Sequence, residues 1–220
     1  MSLQDYKSFE PVKAKHEIVF IGRSNVGKST IMRELIGAKV KVGRRPGVTQ
    51  KPNYYQFGDL LITDMPGYGY MKGVDRAKQE RIKDLIVKYF EDNASRILCA
   101  VQVVDAKAFA DIVDRWDGRG EIPIDIELND FLYDLDLDVI VAVNKMDKIH
   151  PSAWDEFLDG ICDRLHMLPP WNQWTDKVAP IVAKKGEINV LGKLLRERLR
   201  KAGLEKYVNV INVKQGLSSK

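Results

Sequence analysis

Short apolar runs rich in Val and Ile alternate along the chain with stretches whose apolar residues recur every three or four positions. The first kind reads as buried strand and the second as helix. Their alternation predicts a parallel sheet covered by helices. "EIVFI" (17–21) is the first such strand, and it runs straight into a glycine-rich loop. "KSTIMRELIG" follows as a helix that ends at Gly37, a residue suited to the left-handed turn that closes a helix. "NYYQF" and "LLIT" flank Gly58-Asp59, a two-residue hairpin signal, so one strand should run antiparallel. Asp75 can cap "RAKQERIKDLIVKYFED", where Ile82, Leu85, Ile86 and Tyr89 share one face. "RILCAVQVV" and "DVIVAV" read as buried strands and "VAPIV" as a last strand. Trp154, Phe157, Leu158, Ile161, Cys162 and Leu165 stripe a later helix; Ile188, Leu191, Leu194, Leu195 and Leu199 stripe the final one. "KAFADIVDRWDGRGEIP" (107–123) has weak periodicity and reads as a surface insertion between a strand and the next helix.

At 220 residues and 45% hydrophobic content, the chain is long enough for one α/β domain with a substantial core. It carries no internal repeat and no low-complexity tract. Cys99 and Cys162, the two cysteines, sit in apolar runs, as buried thiols in a reducing cytosol do. Together with His16, His150 and His166 they show no metal-ligand spacing. The start "MSLQDYKSFEPVK" lacks the apolar segment of a signal peptide. No apolar run approaches the roughly 20 residues of a bilayer span. The expectation is a soluble cytoplasmic monomer, with no membrane partner.

Charge adds a polarity. The net charge is +4, but residues 1–51 hold eleven Lys/Arg against four acids, and residues 193–220 hold eight against two. Residues 104–138 reverse this, with eleven acids against Lys107, Arg115 and Arg119. Either one face attracts a polyanion and another repels it, or these are solvated helix faces that average out in space.

The chemistry begins at residues 22–30, "GRSNVGKST", which fit G-x-x-x-x-G-K-[ST] after a strand and before a helix. Gly22, Arg23, Ser24, Asn25, Val26, Gly27, Lys28, Ser29 and Thr30 form a phosphate loop. Backbone N–H groups of residues 25–29 and the helix N-terminus hold the phosphates. Lys28 neutralises β/γ oxygens, and the Ser29 hydroxyl ligates Mg²⁺. That loop serves ATPases, kinases and GTPases alike. "LLITDMPG" adds Asp64 at a strand end, suited to a Mg²⁺ water, and Gly67, whose N–H can meet a γ-phosphate that a side chain would obstruct. "VNKMDK" then reads the base. The Asp147 carboxylate accepts from guanine N1–H and N2–H₂, whereas adenine would leave it desolvated and unpaired. Asn144 ties this loop to the phosphate loop, and the Lys145 stem lies over the base. In "IVAKKG", Ala183 and Lys184 match a loop whose backbone N–H meets guanine O6; Val182 stands where serine is usual. Gly47 and Thr49, in "GRRPGVTQ", supply a candidate switch threonine for Mg²⁺ and the γ-phosphate.

These are five GTPase loops in order. "GRSNVGKST", "PGVTQKPNYY" and above all "DMPGYGY" resemble the EngB family of ribosome-assembly GTPases, within the translation-factor-related class. The resemblance covers roughly residues 15–202. It implies a doubly wound, mostly parallel six-stranded sheet with one antiparallel strand, GTP hydrolysis, and a role in maturing the large ribosomal subunit with a link to bacterial growth and division. Residues 1–15 then read as an N-terminal extension, 16–202 as the GTP-binding domain and 203–220 as a basic tail. The acidic insertion departs from the short bacterial form and points to a non-bacterial branch such as the archaeal one.

Two positions bear on turnover, which is otherwise expected of Lys28, Thr49 and Gly67. Tyr68 stands where many GTPases place a water-orienting glutamine, so hydrolysis should be slow. Asn25 resembles the loop asparagine of GTPases that use K⁺; the alternative is an asparagine that merely stabilises its own loop. Slow hydrolysis with two switch loops (37–52 and 65–75) describes a timer. Lys39, Lys41, Arg44, Arg45 and Lys51 in the first loop would then present positive charge to rRNA in a GTP-dependent way. A phosphate-loop kinase is the rival enzyme, and a growth and division regulator working through protein partners is the rival GTP-binder.

Overall fold

The computed structural model describes residues 9, 12–37, 51–68, 75–109 and 123–213. Gly47, Thr49, Lys39, Lys41, Arg44 and Arg45 lie outside the described residues, as do most of the acidic insertion and the end of the basic tail.

The chain runs β1 (His16–Ile21), α1 (Lys28–Ile36), β2 (Asn53–Phe57), β3 (Leu60–Asp64), α2 (Arg76–Asn93), β4 (Ile97–Asp105), α3 (Ile124–Asp134), β5 (Val139–Asn144), α4 (Trp154–Arg164), β6 (Val178–Pro180) and α5 (Asn189–Lys201). The six strands form one sheet in the order β2-β3-β1-β4-β5-β6. All neighbours are parallel except β2 and β3, the hairpin pair. The fold is therefore a mostly parallel α/β sheet with one antiparallel edge strand.

Each central strand feeds both faces, because successive side chains point to opposite sides. On β1, Val19 and Ile21 join the core under α2, α3 and α4, whereas Ile18 and Phe20 join the core under α1 and α5. Burial on both faces is why these strands read as unbroken apolar runs. Local signals act where they were expected. Gly37 takes φ 80° and its N–H closes α1 on the Arg33 carbonyl at 2.9 Å. Asp75 caps α2 by accepting from the Lys78 N–H at 2.9 Å. The last strand is shorter than the apolar run 178–182: it stops at Pro180, and Val182 instead bridges Glu187.

The stretch after α5 packs back on the sheet. Leu204, Tyr207, Val208 and Ile211 are buried in the α1/α5 core, and the Asn212 N–H bonds the Leu35 carbonyl at 2.7 Å. A second long-range clamp centres on Glu17, fully buried on β1, which accepts hydrogen bonds from Thr63, Tyr89 and Arg96. This network ties β1, β3 and α2 together at the end of the sheet away from the glycine-rich loop.

Candidate nucleotide-binding site

Parallel strands deliver their following loops to one edge of the sheet, and ligands of open α/β sheets bind there. The phosphate loop leaves β1, Asp64 ends β3, Asn144 ends β5, and the 182–187 loop follows β6. All meet at that edge.

The phosphate loop is shaped by positive φ at Asn25 (69°) and Gly27 (104°). A loop of this kind ahead of a helix N-terminus cradles anions. At Gly27 the packing also excludes a side chain, since a Cβ would lie 2.3 Å from the Asn144 amide nitrogen. Lys28 folds back beneath the loop. Its Nζ donates to the Gly22 carbonyl at 2.6 Å and the Arg23 carbonyl at 3.1 Å. Burial lowers its pKa from 10.5 to about 8, while Asp64 and Asp125 pull it back up. A desolvated ammonium held on neutral carbonyls is poised to trade them for phosphate oxygens. Val26 is buried under the loop and Thr30 is half-buried in the first turn of α1.

Asp64 is buried at the tip of β3. Its Oδ2 accepts from the Ser29 hydroxyl at 3.2 Å, and its Oδ1 is buried with no hydrogen-bond partner among the described residues. Burial raises its pKa; Lys28, Ser29 and the neighbouring Asn53 side chain on β2 oppose this. A carboxylate oxygen left over beside a hydroxyl suits a hard cation that takes oxygen ligands, so these residues fit Mg²⁺.

Gly67 has a packing reason to be glycine besides the expected one. A Cβ there would meet Ser24 Cα at 2.7 Å and Ser24 N at 2.8 Å. The first obstacle to a side chain is thus the phosphate loop itself. The two loops are also joined where the Ser24 N–H donates to the Tyr68 carbonyl at 3.3 Å. The Tyr68 ring turns inward, and its hydroxyl donates to Asp125 Oδ1 at 2.9 Å.

The base-reading loops are clamped by Asn144. Its Nδ2 donates to the Val26 carbonyl at 2.8 Å and its Oδ1 accepts from the Ala183 N–H at 3.0 Å. Of the two residues matched to the loop that meets guanine O6, Ala183 has its N–H engaged by Asn144, and Lys184 is the next main-chain donor along that loop. Lys145, in the left-handed conformation, donates to the Asn25 carbonyl at 2.9 Å and pairs with Asp105. Asp147 lies exposed in the following short turn, and its carboxylate makes no hydrogen bond or ion pair among the described residues.

Sequence reasoning missed Asp105 and Asp125. Asp105 ends an apolar strand as Asp64 does, which was its one available signal. Asp125 reads locally as a first-turn acid of α3 and carries none.

Residues 17–145 match the family model described as "50S ribosome-binding GTPase". The chain is 54% identical to a probable GTP-binding protein EngB of Methanosarcina mazei over 87% of this chain and 93% of that protein. It is 50% identical to the Methanopyrus kandleri protein of the same name, over 90% and 99%. The crystal structure of a probable GTP-binding protein EngB superposes with a TM-score of 0.75 at 46% identity, covering 84% of this chain and 99% of that one. Aquifex aeolicus Era shares the fold at a TM-score of 0.54 and 21% identity, over 92% of this chain and 59% of Era. A family model matched over more than half of the chain, and identity at this level over most of its length, show that the chain belongs to the EngB family and is a GTPase that binds GTP and hydrolyses it to GDP.

Proposed function

We propose that this GTPase is a slow molecular switch that acts as a cytoplasmic monomer in assembly of the large ribosomal subunit. The observation that carries the reading is the family match itself, whose description names 50S binding, joined to the basic stretches at 1–51 and 193–220. Guanine is read by Asp147, whose exposed carboxylate has no competing partner among the described residues, while Asn144 holds its loop against the phosphate loop. Lys184 offers a main-chain donor to O6, next to Val182 and Ala183. Residues 22–30 hold the phosphates, with Lys28 on the β/γ oxygens. Ser29, Asp64 and Thr49 would hold Mg²⁺, which when bound neutralises phosphate charge. Gly67 donates its N–H to the γ-phosphate, and Gly47 lies in the same switch loop as Thr49. Tyr68 supports slow turnover, because its hydroxyl is buried on Asp125 and cannot orient water. Asn25 would help to hold a K⁺, which when bound would supply the positive charge that other GTPases take from an arginine.

Pelleting with large subunits tests the partner. The protein should sediment more with a non-hydrolysable GTP analogue than with GDP, and binding should weaken steeply with salt. Replacing Arg44 and Arg45 together by Ala should weaken it without changing GDP affinity. Identical, salt-insensitive sedimentation in both nucleotide states would reject the reading.

A further inference from the structure

The inward turn of Tyr68 belongs to a buried polar network that slow hydrolysis by itself does not require. Asp125, the second residue of α3, is 3% exposed. Its Oδ1 accepts the Tyr68 hydroxyl at 2.9 Å, and its Oδ2 lies 3.8 Å from Arg23 of the phosphate loop. Asp125 is itself held firmly. Its main-chain carbonyl accepts from Gln102 Nε2 at 2.6 Å, and Gln102 Oε1 accepts from Asn129 Nδ2 at 2.7 Å. Gln102 on β4 and Asn129 on α3 are both fully buried, so strand and helix are fastened under the carboxylate. Burial raises the pKa of Asp125, and burial with the Asp125 charge raises that of Tyr68.

A buried carboxylate, phenol and guanidinium are a poor source of stability, since apolar residues of equal volume pack as well or better. What such a group supplies is geometry. Asp125 grips one residue from each of two loops, and those residues are neighbours: Arg23 and Tyr68 form a parallel bridge, and Gly67 sits directly on Ser24. The relative position of the two loops is thus set from α3, with no phenol or carboxylate entering the phosphate cradle. We propose that Asp125 is a positioning residue for GTP hydrolysis, acting through Tyr68 and Arg23 to hold the Gly67 main chain in register with the phosphate loop. The proposal rests on the reading of Gly67 as the γ-phosphate contact.

Tyr68→Phe removes only the hydroxyl; Asp125→Asn keeps the shape and removes the charge. Each should lower kcat about tenfold, the scale expected when a reacting group is held less than an ångström out of place. Each should also lower affinity for a non-hydrolysable GTP analogue relative to GDP, with GDP affinity changed less than about twofold. The double variant should be no slower than the slower single one, because both break one link. Tyr89→Phe is the control: it removes a buried hydroxyl from Glu17, away from the loops, and should lower thermal stability without changing kcat. Wild-type kcat in Tyr68→Phe, a loss matched by Tyr89→Phe, a collapse of GDP affinity, or multiplicative effects in the double variant would each overturn the proposal. Gly67→Ala separates the two readings. Its Cβ forces the Gly67 main chain off Ser24 directly: if it loses stability yet hydrolyses GTP normally, the γ-phosphate role fails; if it is impaired while Tyr68→Phe is normal, only the role of Asp125 fails.

Discussion

Lys28 should make the nucleotide-free protein less stable, and the effect has a calculable pH signature. Burial drops its pKa from 10.5 to about 8. At ~1.4 kcal/mol per pH unit, holding the ammonium in the fold below pH 8 then costs about 3 kcal/mol relative to the unfolded chain. The sign is that of a depressed lysine. Between pH 8 and 10.5 the unfolded chain keeps the proton that the native state has lost, so stability rises with pH through this window. Lys28→Met preserves length and removes the charge. It also removes two hydrogen bonds to the Gly22 and Arg23 carbonyls, worth ~1 kcal/mol each. The variant should therefore be about 1 kcal/mol more stable than wild type near pH 7.5. By pH 9.5, as the wild type sheds its proton, the difference should shift by about 2 kcal/mol and change sign, leaving the variant about 1 kcal/mol less stable. Comparing the two proteins cancels the other lysines and tyrosines that titrate there. Urea unfolding of both nucleotide-free proteins at the two pH values is the assay, alongside GDP titration, where the variant should bind on the order of 100-fold more weakly. A stability difference that is the same at both pH values, or a variant less stable than wild type at pH 7.5, would refute the argument that Lys28 is a desolvated cation kept for phosphate.

Gly67→Ala should force Ser24 and Gly67 apart, because the clash at 2.7 Å is with backbone that cannot rotate away; calorimetry should show about 1–3 kcal/mol of lost stability, and single-turnover assays a fall in GTP hydrolysis. Asp147→Asn should shift preference from guanine toward xanthine nucleotides, since the hydrogen-bond sense at the base is inverted; comparable GTP and ATP affinity in the wild type would contradict the assignment. Hydrolysis should be faster in KCl than in NaCl at equal ionic strength, and Asn25→Ala should abolish the difference; equal wild-type rates in the two salts would remove the role of K⁺.

What could be read from the sequence was what depends on near neighbours. Gly58-Asp59 makes a hairpin, Asp75 caps α2, Gly37 ends α1, and unbroken apolar runs become strands buried on both faces, because turn chemistry, capping and side-chain period act over a few residues. The phosphate loop and the Asn144–Asp147 stretch were legible for the same reason: each is a short loop whose chemistry needs fixed residue types at fixed spacing. The tertiary structure decided which distant groups meet. It set Asn144 on Val26, 118 residues away, and bonded the Ala183 N–H to the Asn144 side chain. It gave Gly67 its reason, the backbone of Ser24. It joined Tyr68 to Asp125 across 57 residues, and Glu17 to Thr63, Tyr89 and Arg96 across 46, 72 and 79. A buried polar side chain takes whichever partner the strand order β2-β3-β1-β4-β5-β6 brings within 3 Å or so. That order leaves no periodic trace in the chain, so Asp125 reads locally as an ordinary acid in the first turn of a helix and acquires its role only where β4 and α3 close over it.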